Sequence, residues 1–104
     1  MNTTLVVPIF KTLADGHRMK MAELLAQNES TVGEIEKQLG LSQSATSQHL
    51  KLLSDAGLVS VRKHGNFRIY SLQTSVLQEA MNYFDRLWDD SLLQLKNNLE
   101  NDEK

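Results

Sequence analysis

The sequence predicts one mainly α-helical domain with about five helices and a small β-hairpin. Apolar residues recur every three or four positions up to residue 55, the repeat changes to two over 58–72, and helical spacing returns from residue 74. The chain has 104 residues, of which 40% are hydrophobic and 23% charged, and this size and composition are typical of a single domain. We therefore treat residues 1–104 as one domain.

The first two helices are predicted over residues 3–14 and from Asp15 to about Ala26. The first contains Pro8, which a helix accepts readily only in its first turn because proline has no backbone N–H. Asp15 precedes the second helix and can accept hydrogen bonds from its unpaired backbone amides. These signals place the boundary between the two helices next to Asp15.

A third, short helix is predicted between Thr31 and Gly40. Thr31 is followed three residues later by Glu34, and this spacing predicts a capping box, in which each side chain bonds the other residue's backbone amide. Gly40 can adopt the left-handed conformation that ends a helix. Only two residues separate this helix from the next one, so the two must cross at a steep angle.

The fourth helix, expected at about 42–55 with Ser42 as its N-cap, has two chemically different sides. A helical wheel brings four residues together on a packed side: Thr46, His49, Leu50 and Leu53. The opposite side carries hydrogen-bonding groups and one cation: Gln43, Ser44, Ser47, Gln48 and Lys51. Because His49 lies on the packed side, we expect a hydrogen-bonded structural histidine rather than a pH switch or a base contact.

A β-hairpin and a long terminal helix complete the chain. The hairpin is expected at about 58–72, which we call the wing, with strands at 58–63 and 67–72 joined by a turn containing Gly65. The terminal helix is predicted over about 74–99 and carries one long apolar stripe. The apolar area of this stripe is larger than the rest of so small a domain can cover. The helix is therefore expected to provide an association surface.

The net charge of −2 hides an uneven distribution. Residues 37–72 contain five lysines or arginines against one acidic residue, whereas residues 73–104 contain three against seven. The segment with the polar-sided helix and the wing is therefore basic, although the whole chain is acidic. A local positive charge of this kind favours a polyanionic partner.

Several classes of function are excluded or disfavoured by what the sequence lacks. It contains no cysteine, which excludes disulfides and thiolate metal sites and suits a reducing cytoplasm. No apolar run approaches the ~20 residues that span a bilayer, so no membrane association is expected. No nucleophile paired with a base and no glycine-rich phosphate loop appear, so an enzyme is not expected. No cofactor is expected either. Asp85 and Asp89, four residues apart, have the spacing of a carboxylate pair for a hard cation, but two acidic residues on an exposed helical face are usually only solvated charges.

The order of these elements is that of a winged helix-turn-helix, and it favours double-stranded DNA as the partner. The major groove admits one α-helix, and Gln or Ser side chains near its N-terminus can exchange hydrogen bonds with base edges. The helix N-terminus can hold a phosphate, and cations supply the sequence-independent part of the affinity. The residues expected to bind DNA are Ser42, Gln43, Ser44, Ser47, Gln48, Lys51, Arg62, Lys63 and Arg68.

About residues 10–72 also resemble a known family. The run Leu41–Leu53, followed by Ala56–Val59 and then by Arg62, Gly65, Tyr70 and Leu72, is similar to the ArsR/SmtB family of bacterial dimeric winged-helix repressors. The segment Phe10–Arg18 resembles the family's entry into the second helix, except that Gly16 stands where the family usually has proline. The segment around the fourth helix is the most specific part of this likeness.

The resemblance implies a homodimer that binds an inverted-repeat operator and represses transcription until an inducer loosens it. It places the family's base-reading residues on Gln43, Ser44, Ser47 and Gln48. The implied dimer interface uses the first and last helices: Leu5, Ile9, Phe10, Phe84, Leu87, Trp88, Leu92 and Leu95.

The family's metal ligands are missing from this chain. Thr31, Gly33 and Glu36 lie in the region where thiolate sensors of the family carry cysteines, and the terminal helix has no histidine. The resemblance therefore implies no metal site here, and it leaves the inducer unknown.

The alternative from another class is a winged protein-interaction module without direct DNA binding, whose acidic terminal helix docks a partner. The basic segment argues against that alternative.

Overall fold

The computed structural model describes residues 1–102, except for the side chains of residues 88, 90–92 and 100–102. Within these residues five helices and three strands follow one another along the chain. Their bounds are α1 Thr3–Leu13, α2 Gly16–Gln27, β1 Ser30–Thr31, α3 Val32–Leu39, α4 Gln43–Asp55, β2 Val59–His64, β3 Phe67–Leu72 and α5 Thr74–Asp102. The expected order of helices and hairpin is confirmed. No helix in the described part of the chain is long and apolar enough to cross a membrane.

The predicted helix caps are confirmed. Asp15 accepts hydrogen bonds from two backbone amides of α2, and Thr31 with Glu34 forms the capping box of α3. Gly40 ends α3 in the left-handed conformation, with φ 67°. Ser42 caps α4 by accepting a hydrogen bond from the backbone amide three residues later at 3.1 Å. These local bonds hold α3 and α4 at the short joint between them.

Pro8 lies in the middle of α1 and not in a first turn, where a helix accepts proline most readily. Proline cannot donate the helical hydrogen bond that the carbonyl four residues earlier would accept. The helix is nevertheless continuous, since Val6 and Ile9 on either side of Pro8 are buried and hold it against the core. The Thr12 hydroxyl also donates to the Pro8 carbonyl at 2.7 Å.

The wing belongs to a three-stranded antiparallel sheet with the strand order β1-β3-β2. The strand β1 was not expected, because two residues are too few to show an alternating pattern. It pairs through Ser30 with Tyr70 and through Thr31 with Ile69. The wing turn is also shorter than expected, since His64 pairs with Phe67 and only two residues remain between the strands. The pairing with β1 ties the wing to the segment between α2 and α3.

The hydrophobic core lies between the helices and the base of the wing. Its buried side chains come from every helix and from the start of the wing: Val6, Ile9, Met21, Leu25, Ile35, Leu50, Leu53, Leu58, Val59 and Ala80. Among its described side chains, α5 contributes only Ala80 to this buried set, with Val76, Leu77 and Tyr83 packed around it. The core therefore fixes the orientation of α4 and the start of α5.

The rest of α5 extends away from the core. The chain measures 69 × 24 × 23 Å with a radius of gyration of 18.2 Å, whereas a compact domain of this length has a radius of about 13 Å. A helix of 29 residues is about 43 Å long, which accounts for the elongation. The helix also runs on to Asp102, beyond the end expected near residue 99.

Candidate nucleic-acid interface

The two sides of α4 are divided as the helical wheel predicts. Thr46, Leu50 and Leu53 are buried in the core, and the Thr46 hydroxyl donates to the Ser42 carbonyl at 2.8 Å. The opposite side is exposed along its whole length: Gln43, Ser44, Ser47, Gln48 and Lys51. We call these five residues the polar side of α4. They are free to meet a partner, while the packed side holds the helix rigid.

His49 is part of a hydrogen-bonded cluster that joins α4 to α2, as expected of a structural histidine. Its Nδ1 lies 3.4 Å from Nη1 of Arg18 and 4.0 Å from Oδ1 of Asp15. Arg18 also donates through Nε to the Thr12 carbonyl at 2.6 Å, which links the cluster to α1. Hydrogen bonds from the backbone amides at the start of α2, above all that of Arg18, lower the pKa of Asp15. The cluster therefore supports α4 on its packed side, opposite the polar side.

Two of the four cations expected to contact phosphate have a carboxylate partner within the chain. Lys51 pairs with Asp55 one turn along α4 at 3.1 Å. Arg62 donates through Nη1 and Nη2 to the two carboxylate oxygens of Glu29, at 2.5 and 2.7 Å. This hydrogen bonding lowers the pKa of Glu29 and raises that of Arg62. Asp55 is already included in the charge count of residues 37–72, but Glu29 lies outside that segment. The net positive charge around α4 and the wing is therefore smaller in the folded protein than the count for the segment indicates.

Glu29 was not expected at this site because it lies 33 residues from Arg62 and outside the basic segment. Arg18 was not expected either, because it belongs to α2 but supports α4 through His49. No spacing rule connects these pairs, since each contact joins two elements that are distant in the chain. Lys63 and Arg68 face each other across the hairpin and have no ion pair within the described residues.

Exposed apolar side chains lie on α1 and α5, where the dimer interface was expected. The side chains of Leu5, Phe10, Phe84, Leu87 and Leu95 are 38 to 58% exposed. The rings of Phe10 and Phe84 meet edge to face, with centroids 6.2 Å apart, and tie the two helices together within one chain. The side chains of Trp88 and Leu92 lie outside the described residues.

Ile9 requires a correction. It was expected at the dimer interface, but its side chain is only 2% exposed in a single chain because it packs into the core. A side chain buried within one protomer has almost no surface left for a partner. The apolar stripe of α1 is therefore divided, with Ile9 facing the protein's own interior and Leu5 facing outward.

The carboxylate pair on α5 is not part of a larger cluster. Asp85 and Asp89 are exposed, and no group of three or more His, Asp or Glu side chains in the described part of the chain is arranged to hold a metal ion.

Known proteins share this arrangement. Residues 15–61 match the model of the family described as bacterial regulatory protein, arsR family. The transcriptional repressor SdpR of Bacillus subtilis is 36% identical over 75 residues, which cover 72% of this chain and 83% of SdpR. The chain belongs to the arsR family. The winged helix-turn-helix expected from the sequence is thereby confirmed, and this arsR-family protein is a DNA-binding regulator of transcription.

Two further relatives agree with this membership. The transcriptional activator HlyU of Vibrio cholerae is 36% identical over 87 residues, covering 84% of this arsR-family chain and 81% of HlyU. The solution structure of a homodimeric winged helix-turn-helix DNA-binding domain, Mb0332 of Mycobacterium bovis, superimposes with a TM-score of 0.69 at 29% identity. That match covers 86% of this chain and 82% of the Mb0332 fragment. These relatives are named as regulators of transcription and not as enzymes.

Proposed function

We propose that this protein is a repressor that binds an inverted-repeat operator as a homodimer, with one α4 helix in the major groove of each half-site. The observation that carries the proposal is the polar side of α4, which is exposed along its length and backed by a buried, hydrogen-bonded side. A helix whose opposite side is packed against the core can present its side chains to bases without first becoming ordered.

Each side chain on this surface has a chemical role. Gln43 and Gln48 each carry a donor and an acceptor, which suits the paired groups of adenine in the major groove, and Ser44 and Ser47 can bond either kind of base edge. Ser42 and the first amides of α4 lie at the positive end of the helix dipole and are assigned to a phosphate. Lys51, Lys63 and Arg68 supply phosphate contacts. Arg62 contacts phosphate only when its hydrogen bonds to Glu29 break.

The homodimer is proposed from the exposed apolar surface on α1 and α5. Leu5, Leu87 and Leu95 are more than half exposed, and burying such side chains against a second copy removes apolar area from water. A two-fold axis would present two α4 helices to a palindromic site. The solved structure of Mb0332 is that of a homodimer.

Repression, rather than activation, is proposed from the likeness to repressors such as SdpR, although the related HlyU is an activator. A bacterial regulator of this kind acts in the cytoplasm, where its DNA lies. The alternative of a protein-interaction module is disfavoured, because the relatives are named as regulators of transcription.

Selection of DNA from a random pool by the purified full chain tests the proposal. We expect an inverted repeat whose half-sites are separated by about one helical turn, roughly 10 to 10.5 base pairs, or by a multiple of it. Binding should weaken steeply with added salt because phosphate contacts release counterions. Strictly monomeric protein that binds no duplex at low salt would refute both the dimer and the DNA target.

Variants of α4 then test which residues read the sequence. In a shift assay, Gln43→Ala and Ser47→Ala should reduce the preference for the selected site over a scrambled one by roughly 1–3 kcal/mol for each good base contact that is lost. Lys63→Ala serves as the control, since loss of a phosphate contact should weaken binding to both duplexes equally. If Gln43→Ala and Ser47→Ala leave the preference intact, the polar side of α4 is not the reading surface.

A further inference from the structure

A small apolar cleft lies where α1, α2, α5 and the root of the wing meet. Its volume is about 170 Å³. The side chains that line it come from all four elements and include Leu13, Met19, Ala22, Leu58, Leu72 and Leu77. Met19 is 42% exposed, so the cleft reaches the surface of the protein. None of the residues assigned above to DNA or to the dimer interface lines it.

The size of the cleft limits what it can hold. Cavities of about 150 Å³ lined by apolar side chains bind benzene, whereas pockets for drug-sized ligands measure about 300–1,000 Å³. A cleft of about 170 Å³ therefore accepts a phenyl ring or an alkyl group of the same size. It is too small for a nucleotide or a larger cofactor.

The walls of the cleft determine the chemistry of the part that enters it. Every residue that lines the cleft is apolar except Glu23. A polar group placed among apolar side chains would lose its hydrogen bonds to water without replacing them. The part of a ligand that fills the cleft must therefore be a hydrocarbon.

Glu23 adds one negative charge to this apolar site. It follows Met19 by one turn of α2 and is exposed to solvent. Within the described residues its carboxylate forms no ion pair, including with Lys20 three positions earlier. A carboxylate accepts strong hydrogen bonds from a protonated amine. Charge complementarity at the cleft therefore favours an amine over an acid.

We propose that the cleft binds a small organic amine, whose hydrocarbon part fills the apolar space while its ammonium group pairs with Glu23, and that this amine acts as an inducer. The site is suited to regulation because its walls belong to elements that position the DNA contacts. The helix α2 supports α4 through Arg18 and His49, and Leu58 and Leu72 lie at the root of the wing.

A ligand that contacts all four elements stabilises one arrangement of them relative to the others. Because the proposed function is repression, we expect the amine to weaken DNA binding. The inducer role rests on the proposed function, whereas binding of the amine does not.

Titration of the full chain with three probes of similar size tests the site. We expect phenethylamine to bind with a Kd of about 1 mM or tighter. Neutral phenethyl alcohol should bind about threefold more weakly, which is the effect of losing an exposed ion pair, and the anion hydrocinnamate should not bind. With methyl-labelled methionines, the NMR signal of Met19 should shift, whereas that of Met81, exposed on α5 outside the cleft, should not.

Three variants locate the ligand. Glu23→Gln removes the charge but keeps the shape, so phenethylamine should bind about threefold more weakly and no better than phenethyl alcohol. Ala26→Leu places a larger side chain at an exposed position that lines the cleft, and it should abolish binding while keeping the fold. Glu36→Gln removes a carboxylate of α3 outside the cleft and is the matched control, which should bind like the unmodified protein.

The inducer role is tested on the selected duplex. Saturating phenethylamine should weaken DNA binding of the unmodified protein by about fivefold or more, and DNA should weaken binding of the amine by the same factor. The DNA affinity of Ala26→Leu should not respond to phenethylamine, which controls for the effect of an added cation on DNA.

The possible failures can be told apart. If phenethylamine does not bind, or binds Ala26→Leu as well as the unmodified protein, the site is refuted and the proposed function stands. If Ala26→Leu is monomeric while the unmodified protein is a dimer, a second copy occupies the cleft, and the amine site is refuted as well. Binding of the amine without any effect on DNA affinity would refute the inducer role. Protein that binds the amine but no duplex would refute the proposed function and leave the site in place.

Discussion

At the scale of single residues, the contact that most changes the surface is the one between Glu29 and Arg62. Two hydrogen bonds join the guanidinium to the carboxylate, and both side chains are about half exposed. An exposed pair of this kind stabilises the fold little. Its larger effect is on charge, because it offsets one of the wing's cations and fixes the direction of the Arg62 side chain.

The first prediction concerns pH. Hydrogen bonding from Arg62 holds the pKa of Glu29 below its ordinary value of 4.5. A carboxyl group whose pKa is lowered by folding stabilises the protein fully above its unfolded pKa, and this contribution is lost as the pH falls through the folded pKa. We therefore expect the loss of stability below about pH 5 to be less steep in Glu29→Gln than in the unmodified protein, as measured by urea unfolding between pH 3 and 7.

Two comparisons make this measurement specific. Glu79→Gln removes an exposed carboxylate of α5 that has no ion pair among the described residues, and it should keep the full pH dependence. Some dependence should also remain in Glu29→Gln, because the pKa of Asp15 is lowered by backbone hydrogen bonds at the start of α2. Identical pH profiles for Glu29→Gln and the unmodified protein would show that the pair does not form in solution.

At the scale of elements, the joint between α3 and α4 determines how the polar side of α4 is presented. Gly40 ends α3 and its amide bonds the Glu36 carbonyl at 2.8 Å, while Ser42 starts α4. Both ends are defined by hydrogen bonds within one turn of the chain. Such local bonds explain why the boundaries of these helices could be predicted from sequence.

The second prediction concerns this N-cap. Ser42→Ala removes the side-chain acceptor for the amide of Ala45 and should lower the free energy of unfolding by about 1 kcal/mol. Ser44→Ala is a matched control on the same turn, since Ser44 is exposed and substitutions at such surface sites usually change stability by less than about 0.5 kcal/mol. Equal stability of the two variants in chemical denaturation would mean that the Ser42 hydroxyl contributes nothing to α4.

At the scale of the whole molecule, the long α5 helix dominates the shape. Among the side chains of α5 that the structure describes, those packed on the core come from its first turns, and apolar side chains such as Leu95 and Leu99 are exposed farther along. A chain extended to 69 Å by one partly covered helix buries less apolar surface than a compact domain of the same length. Association through α5 would offset that deficit.

The third prediction tests the proposed dimer. Leu95→Glu places a charge on the exposed apolar surface of α5, and we expect sedimentation at micromolar concentration to give a monomer with unchanged helix content. DNA affinity should fall by two orders of magnitude or more, because the second half-site is no longer bound by a linked protomer. Asn97→Glu adds the same charge on the other side of the helix and should remain dimeric. If Leu95→Glu is dimeric as well as Asn97→Glu, the dimer interface does not lie on this surface of α5.

Features that depend on neighbours within one or two turns could be predicted from the amino-acid sequence. The caps at Asp15 and Ser42, the end of α3 at Gly40 and the two sides of α4 all follow from hydrogen bonds and spacings inside a single element. The same locality explains why the polar side of α4 could be predicted as a reading surface from the sequence.

The packing of whole elements sets which side chains meet across the chain. It buried Ile9 in the core and left Leu5 exposed, although both belong to one apolar stripe, and it paired Arg62 with Glu29 33 residues away. It also added β1 to the wing and left Phe67 exposed at the tip. These outcomes depend on how whole elements pack, because a long-range contact is set by the combined burial of many side chains and not by the spacing of the two residues that form it.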